Sequence, residues 1–195
     1  MDTAARSVTT RCLIDWGMAQ VIHPGQAISG DRHLVRAHSE GVLLAVVDGL
    51  GHGAEAAVAA DVAVTTLEAH ILEPVTLLLK RCHEAMRRTR GAAMSLASIT
   101  GVADSMTWLG VGNVEGVVLR ADKHAIPARE NIQLFPGVVG YQLPSVRSVV
   151  TPLSPDDAQL IARGICRKHC KRTDDGLVLV ARVRERPLSA ALAAS

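Results

Sequence analysis

The residues most able to do chemistry sit in Val46-Val47-Asp48-Gly49-Leu50-Gly51-His52-Gly53, followed by Ala54-Glu55-Ala56-Ala57. An apolar run ends in an acid, a glycine-rich turn follows, and a helix pattern begins. An acid at a strand end can bind a hard cation, with the neighbouring glycine carbonyl as a second oxygen donor. Glycines there permit positive φ and close approach of backbone to a ligand. Two further acids occupy comparable places. Asp31 lies in Ser29-Gly30-Asp31, where a turn meets a strand, and Asp174-Asp175 immediately precede the apolar run 177–183. Three acids at strand ends could converge on one or two metals, although each taken singly is also an ordinary turn aspartate. A nucleotide site is the competing reading, since Gly49, Gly51 and Gly53 loosely follow G-x-G-x-x-G. The third glycine comes one residue early, Asp48 would set a negative charge beside the phosphates, and the place of the ribose-binding acid falls in a helix near Glu68 and His70.

The elements that must position these residues follow from punctuation and period. Short β-like runs lie at 13–21, 33–38, 42–47, 95–102, 106–111, 114–119, 146–150, 159–161 and 177–183, most of them bounded by Gly, Asp, Asn or Pro. Residues 43–47 are apolar on both faces, as in an interior strand. Two helices are expected. One runs over 54–71, alanine-rich with Val58, Val62 and Leu67 as its larger apolar residues. The other runs over 74–88, opened by Pro74, with Val75, Leu78, Leu79, Cys82 and Met86 on one stripe. Two consecutive helices between groups of strands do not fit a βαβ repeat. They fit an α+β layered sandwich with helices packed on mainly antiparallel sheets. No repeat or linker divides the 195 residues, so a single domain is expected over 1–195, with a small-residue tail at 188–195.

Composition narrows the function. Apolar residues make up 48% of the chain, which excludes wholesale disorder. Aromatic residues make up only 2%, as Trp16, Trp108, Phe135 and Tyr141. Base stacking, sugar platforms and choline-type cages are therefore poorly supplied, and Trp108 reads as a core anchor. A net charge of +2 is too balanced to argue for a polyanion, and the basic clusters at 81–90 and 167–172 read as solvated faces. No signal peptide or membrane-length apolar run is seen, so the chain reads as cytoplasmic, with no nucleic acid or membrane partner. Cys12 and Cys82 stand alone; Cys166 and Cys170 bracket His169 at a spacing unlike a C-x2-C knuckle, so reduced thiols are expected.

The ordered set of Gly30-Asp31, Val47 to Gly53 before an alanine-rich helix, and Asp174-Asp175 before a terminal strand resembles the PPM (PP2C-like) family of metal-dependent serine/threonine phosphatases. Within it the chain is similar to the bacterial SpoIIE/RsbU/RsbX branch, and there to the small single-domain RsbX type. Arg81-Cys82-His83-Glu84-Ala85-Met86, Arg90-Gly91-Ala92, Val111-Gly112-Asn113-Val114 and 134–140 carry the likeness further, so that it spans residues 11–183. The resemblance implies a four-layer α-β-β-α sandwich with a metal-lined cleft. Asp48 would bridge two Mn2+ or Mg2+ ions, the Gly49 carbonyl and Asp31 would serve the second, and Asp174 would hold the first. Oxygen-only ligands suit these ions better than zinc. The paired ions would activate a water that attacks phosphorus in line, so no side-chain nucleophile is expected. His52 is a candidate general acid and otherwise a helix-start residue. The implied substrates are phosphorylated STAS-domain proteins of the stressosome, whose dephosphorylation resets a stress response.

One departure stands out. Arg163 occupies the place of a third metal-binding aspartate, with Asp156 and Asp157 before the preceding strand. An arginine cannot ligate a cation. Arg163 would leave one metal weakly held, or grip substrate phosphate together with Arg32, or mark a catalytically impaired module that binds the same phosphoproteins.

Overall fold

The computed structural model describes residues 14–100, 105–120, 124–153 and 175–183. In chain order the elements are β1 (Ile14–Val21), β2 (Asp31–His38), β3 (Gly41–Gly49), α1 (Ala54–Ala69), α2 (Val75–Ala85), β4 (Ala92–Thr100), β5 (Ser105–Val111), β6 (Val117–Leu119), β7 (Arg129–Asn131), β8 (Leu134–Phe135), β9 (Val149–Pro152) and β10 (Gly176–Val183). The main sheet runs β2-β3-β4-β5-β8, with β9 also on β5. Its pairings are antiparallel apart from β5 with β8. A second, two-stranded sheet pairs β1 with β10, and β6 pairs with β7 as a ribbon.

The alternation of side chains along each strand builds two cores from one sheet. Leu34, Leu43, Ala45, Val47, Met94, Leu96, Leu109 and Val111 point to the helices. Val42, Ile99, Met106 and Trp108 point the other way, with Ala181 and Val183 of β10 packed against them. Residues 43–47 thus form the interior strand that their two-faced apolarity predicts. Trp108 is buried between the sheets, as an anchor of this second core. An apolar cavity of about 170 Å³ remains there, lined by Leu44, Ala97, Trp108, Val118, Ile132 and Leu179 among others and by none of Asp31, Asp48 or Asp175.

Both expected helices form. In α2, Val75, Leu78, Leu79 and Cys82 are buried and Met86 follows them into the core. Pro74 lies one position before the first helical residue, and its carbonyl accepts from the N–H groups of Leu77 and Leu78 at 2.8 and 3.0 Å. In α1 the buried face is built mostly from small residues. Val58 is exposed, and Ala56, Ala57, Ala59, Ala60, Ala63 and Leu67 face the sheet. The reason is close approach: a Cβ on Gly49 would run into the Ala56 backbone, so the helix start can present only methyl groups to β3.

Strand boundaries shift as well. β6 covers only the end of the expected 114–119 run, and β9 extends to Pro152 rather than starting at 146. β7 and β8 were not expected; strands of two or three residues are too short to show alternation. The expected strand at 159–161 and tail at 188–195 lie outside the described residues, as do Cys12, Cys166, His169 and Cys170. The described elements supply the helical layer and both sheets of the sandwich. The basic cluster at 81–90 is ion-paired: Arg81 with Glu73, Arg87 with Glu84 and Arg90 with Glu55.

Candidate metal centre

The register of β2 on β3 sets Asp31 directly opposite Asp48, and β3 on β4 sets Asp48 opposite Ala93. The two acids are thus neighbours at one end of the main sheet, although 17 positions of sequence and a full hairpin separate them. Asp31 is 5% exposed. Its N–H donates to Ser29 Oγ at 3.1 Å, and its carbonyl accepts from Gln20 Nε2 at 3.1 Å. The pairing continues one step past the acids, where the Gly49 N–H donates to the Gly30 carbonyl at 3.2 Å. The Val111-Gly112-Asn113-Val114 turn closes the same end: Gly112 has φ 88°, and a Cβ on it would lie 2.5 Å from that of Ala93.

The second sheet is fastened to this end by Asp175. Its Oδ1 accepts from the His23 N–H at 2.7 Å and its Oδ2 from the Gly30 N–H at 2.6 Å. Gly30 is the point of closest packing. A Cβ there would lie 2.7 Å from Ala56 Cβ, 3.2 Å from Asp175 Oδ2 and 3.5 Å from the Gly49 carbonyl oxygen. The starts of β2, β10 and α1 and the end of β3 therefore meet around one glycine. Asp174, adjacent to Asp175 in the chain, lies outside the described residues, and so do Arg163, Asp156 and Asp157.

Among the described residues no three His, Cys, Asp or Glu side chains gather as a metal-holding group. What the register brings side by side is Asp31 and Asp48, with Gly49 next in the chain, so the candidate donors are carboxylate and carbonyl oxygens. That chemistry fits Mg2+ or Mn2+.

His52 and Arg32 complete the expected set. His52 is exposed at the start of α1, and its ring stacks on His23 with centroids 4.6 Å apart and planes 14° from parallel. Arg32 is already committed. Its Nε and Nη2 grip Asp61 at 2.6 and 3.2 Å, and its Nη1 donates to the Ser29 and Asp31 carbonyls at 2.8 and 2.9 Å. Four of the five N–H groups of a guanidinium are so used. Arg32 ties the strand carrying Asp31 to α1 and does not offer an open fork to a phosphate. The anchoring role of Asp175 and the His23 stack were not read from sequence. Both depend on contacts across the whole chain, and only the doubled acid at 174–175 signalled the first.

The architecture is shared with solved phosphatase structures. Against RsbX crystallised with magnesium, the TM-score is 0.74 at 19% identity, covering 87% of this chain and 95% of that one. Against the PP2C phosphatase domain and regulatory fragment of SpoIIE from Bacillus subtilis it is 0.72 at 18% identity, covering 89% and 64%. A chain from work on the bacterial stressosome, described as a modular system adapted to control secondary messenger signalling, gives 0.78 at 27% identity, covering 87% and 99%. The fold is therefore that of the PP2C phosphatases. Residues 38–162 match the family model of stage II sporulation protein E, and the chain belongs to this SpoIIE family. It is 31% identical over 99 residues to the phosphoserine phosphatase RsbX of Bacillus subtilis (strain 168). That match takes in 51% of this chain and spans half the length of the curated relative.

Proposed function

We propose that this chain is a metal-dependent protein serine/threonine phosphatase acting on phosphorylated STAS-domain proteins of the stressosome, so resetting a stress-response signal. The observation that carries the reading is the pairing of Asp31 with Asp48 beside the Gly49 carbonyl, in a PP2C-fold member of the SpoIIE family. In this reading Asp48, Gly49, Asp31 and Asp174 hold two Mn2+ or Mg2+ ions. Bound there, such ions supply Lewis-acid activation of water and neutralise phosphoryl oxygens. The chain's own task is positional. The β2–β3 ladder fixes the two carboxylates, Asp175 clamps the second sheet to Gly30, and Arg32 holds the start of β2 on α1. His52, exposed in the loop before α1, is the candidate proton donor to the leaving serine oxygen. The name and activity of RsbX and the stressosome neighbour support the substrate class. A cytoplasmic location accords with this, and no helix among the described residues is long and apolar enough to cross a membrane.

The test is release of inorganic phosphate from a phosphorylated STAS-domain protein. Turnover with Mn2+ or Mg2+ that stops on chelation is the expected result. Arg163 motivates the second reading, a catalytically impaired module. It predicts phosphoprotein binding that survives chelation, with no turnover.

A further inference from the structure

Arg90-Gly91-Ala92 is a motif that the metal centre leaves unused. It lies beside that centre, because Ala92 pairs with Gly49 in the β3–β4 register and the Leu50 N–H donates to the Gly91 carbonyl at 3.0 Å. The backbone around Arg90 is fixed. Thr89 Oγ1 donates to the Met86 carbonyl at 2.8 Å and accepts from the Gly91 N–H at 3.1 Å. Gly91 itself has φ 79°, and a Cβ on it would lie 2.6 Å from the Val139 carbonyl. From this turn the Arg90 guanidinium lies over Gly51, within 2.8 Å of where a Cβ would stand, in the loop that follows Asp48 and Gly49. It pairs there with Glu55 in the first turn of α1.

Two features make the pair exchangeable. The side chains are 51% and 70% exposed, so the ion pair contributes little to holding the fold. A guanidinium also matches a phosphate oxygen pair as well as it matches a carboxylate. Arg32, by contrast, is bound on nearly all its donors.

Resting on the phosphatase reading, we infer that Arg90 is the substrate-positioning residue of this site. Glu55 occupies its fork as a placeholder, and the phosphate of the incoming phosphoserine or phosphothreonine displaces that carboxylate. The small side at Gly51 is what lets the guanidinium lie against the loop, and its positive φ of 88° favours glycine there.

The experiment measures inorganic phosphate binding by calorimetry with Mg2+ present, and KM and kcat on a phosphoserine peptide, for the full chain and for Arg90→Gln, Arg90→Lys and Glu55→Gln. Arg90→Gln is expected to weaken phosphate binding about tenfold and raise KM by a similar factor. Its kcat is expected to stay within about threefold, and its Mg2+ affinity unchanged. Arg90→Lys should recover part of the loss, and Glu55→Gln should tighten phosphate binding a few-fold by removing the competing anion. Phosphate binding in Arg90→Gln equal to wild type, or weakened in Glu55→Gln, would overturn the assignment. Arg90-dependent phosphate binding in a wild-type protein without turnover would sustain the assignment and refute the hydrolase reading, so the two failures are distinguishable.

Discussion

Asp31 and Asp48 face each other across the β2–β3 ladder, at the end where Gly49 exposes its carbonyl to the Gly30 turn. Two carboxylates on facing strands need no loop to bring them together. The spacing of their backbones is set by the ladder's hydrogen bonds.

Asp48→Asn keeps the shape of the side chain and removes its charge. Wild type should gain thermal stability with Mg2+, on the order of 3 kcal/mol at a hundredfold excess over Kd, which is a rise of about 5–10 °C for a chain of this size. Asp48→Asn should lose that rise while its far-ultraviolet circular dichroism matches wild type. A full Mg2+-dependent shift in the variant would contradict the placement of the metal on Asp48.

Gly30→Ala tests the packing that carries the site. The added methyl meets Ala56 Cβ and Asp175 Oδ2, which are held by α1 and by two backbone N–H groups. Overpacking of this kind costs about 1–3 kcal/mol. Chemical denaturation should show a loss in that range together with weaker Mg2+ binding. Stability and metal affinity both at the wild-type level would show that this contact is soft.

Much of this was legible in the sequence because local signals coincide with the chemistry. An acid at the end of an apolar run, followed by glycines, marks Asp48 and Gly49 whatever the rest of the fold does. The stripe of Val75, Leu78, Leu79, Cys82 and Met86 needs only the helical period. The features that the sequence did not announce share a cause in long-range contact. In α1 the close approach to Gly49 turns alanines toward the sheet and leaves Val58 in solvent, while Leu67 is buried. Asp175 clamps Gly30 across 145 positions, and Arg32 spends its donors on Asp61 of another element, so neither role has a sequence period to announce it.

For Arg32→Ala the account predicts a stability change without a substrate effect. The Asp61 partner is more than half exposed, so its loss contributes under about 1 kcal/mol. The two carbonyl contacts add to this, and a fall in Tm of a few degrees is expected. KM for a phosphoserine peptide should stay at its wild-type value. A several-fold rise in KM with unchanged Tm would restore Arg32 as a phosphate ligand.

Acid should weaken the fold through two histidines. Burial holds both His33 and His38 below their ordinary value of 6.5, with Glu40 opposing the shift at His38. As pH falls through 6.5 the unfolded chain takes up protons at these positions before the folded one does. Stability is therefore full above 6.5 and declines below it. Tm measured between pH 7.5 and 5.5 should fall, and the double variant His33→Gln with His38→Gln should flatten the decline. An unchanged slope in that variant would show that other groups govern it.

The central claim is that the paired carboxylates serve metal-dependent phosphate ester hydrolysis. Its most direct test is phosphate release from a phosphorylated STAS-domain protein, for wild type and Asp48→Asn, with Mn2+ or Mg2+ and after chelation. The account predicts turnover by wild type only when the metal is present, and none above background by Asp48→Asn. A folded wild-type protein that releases no phosphate at any concentration of either ion would contradict it.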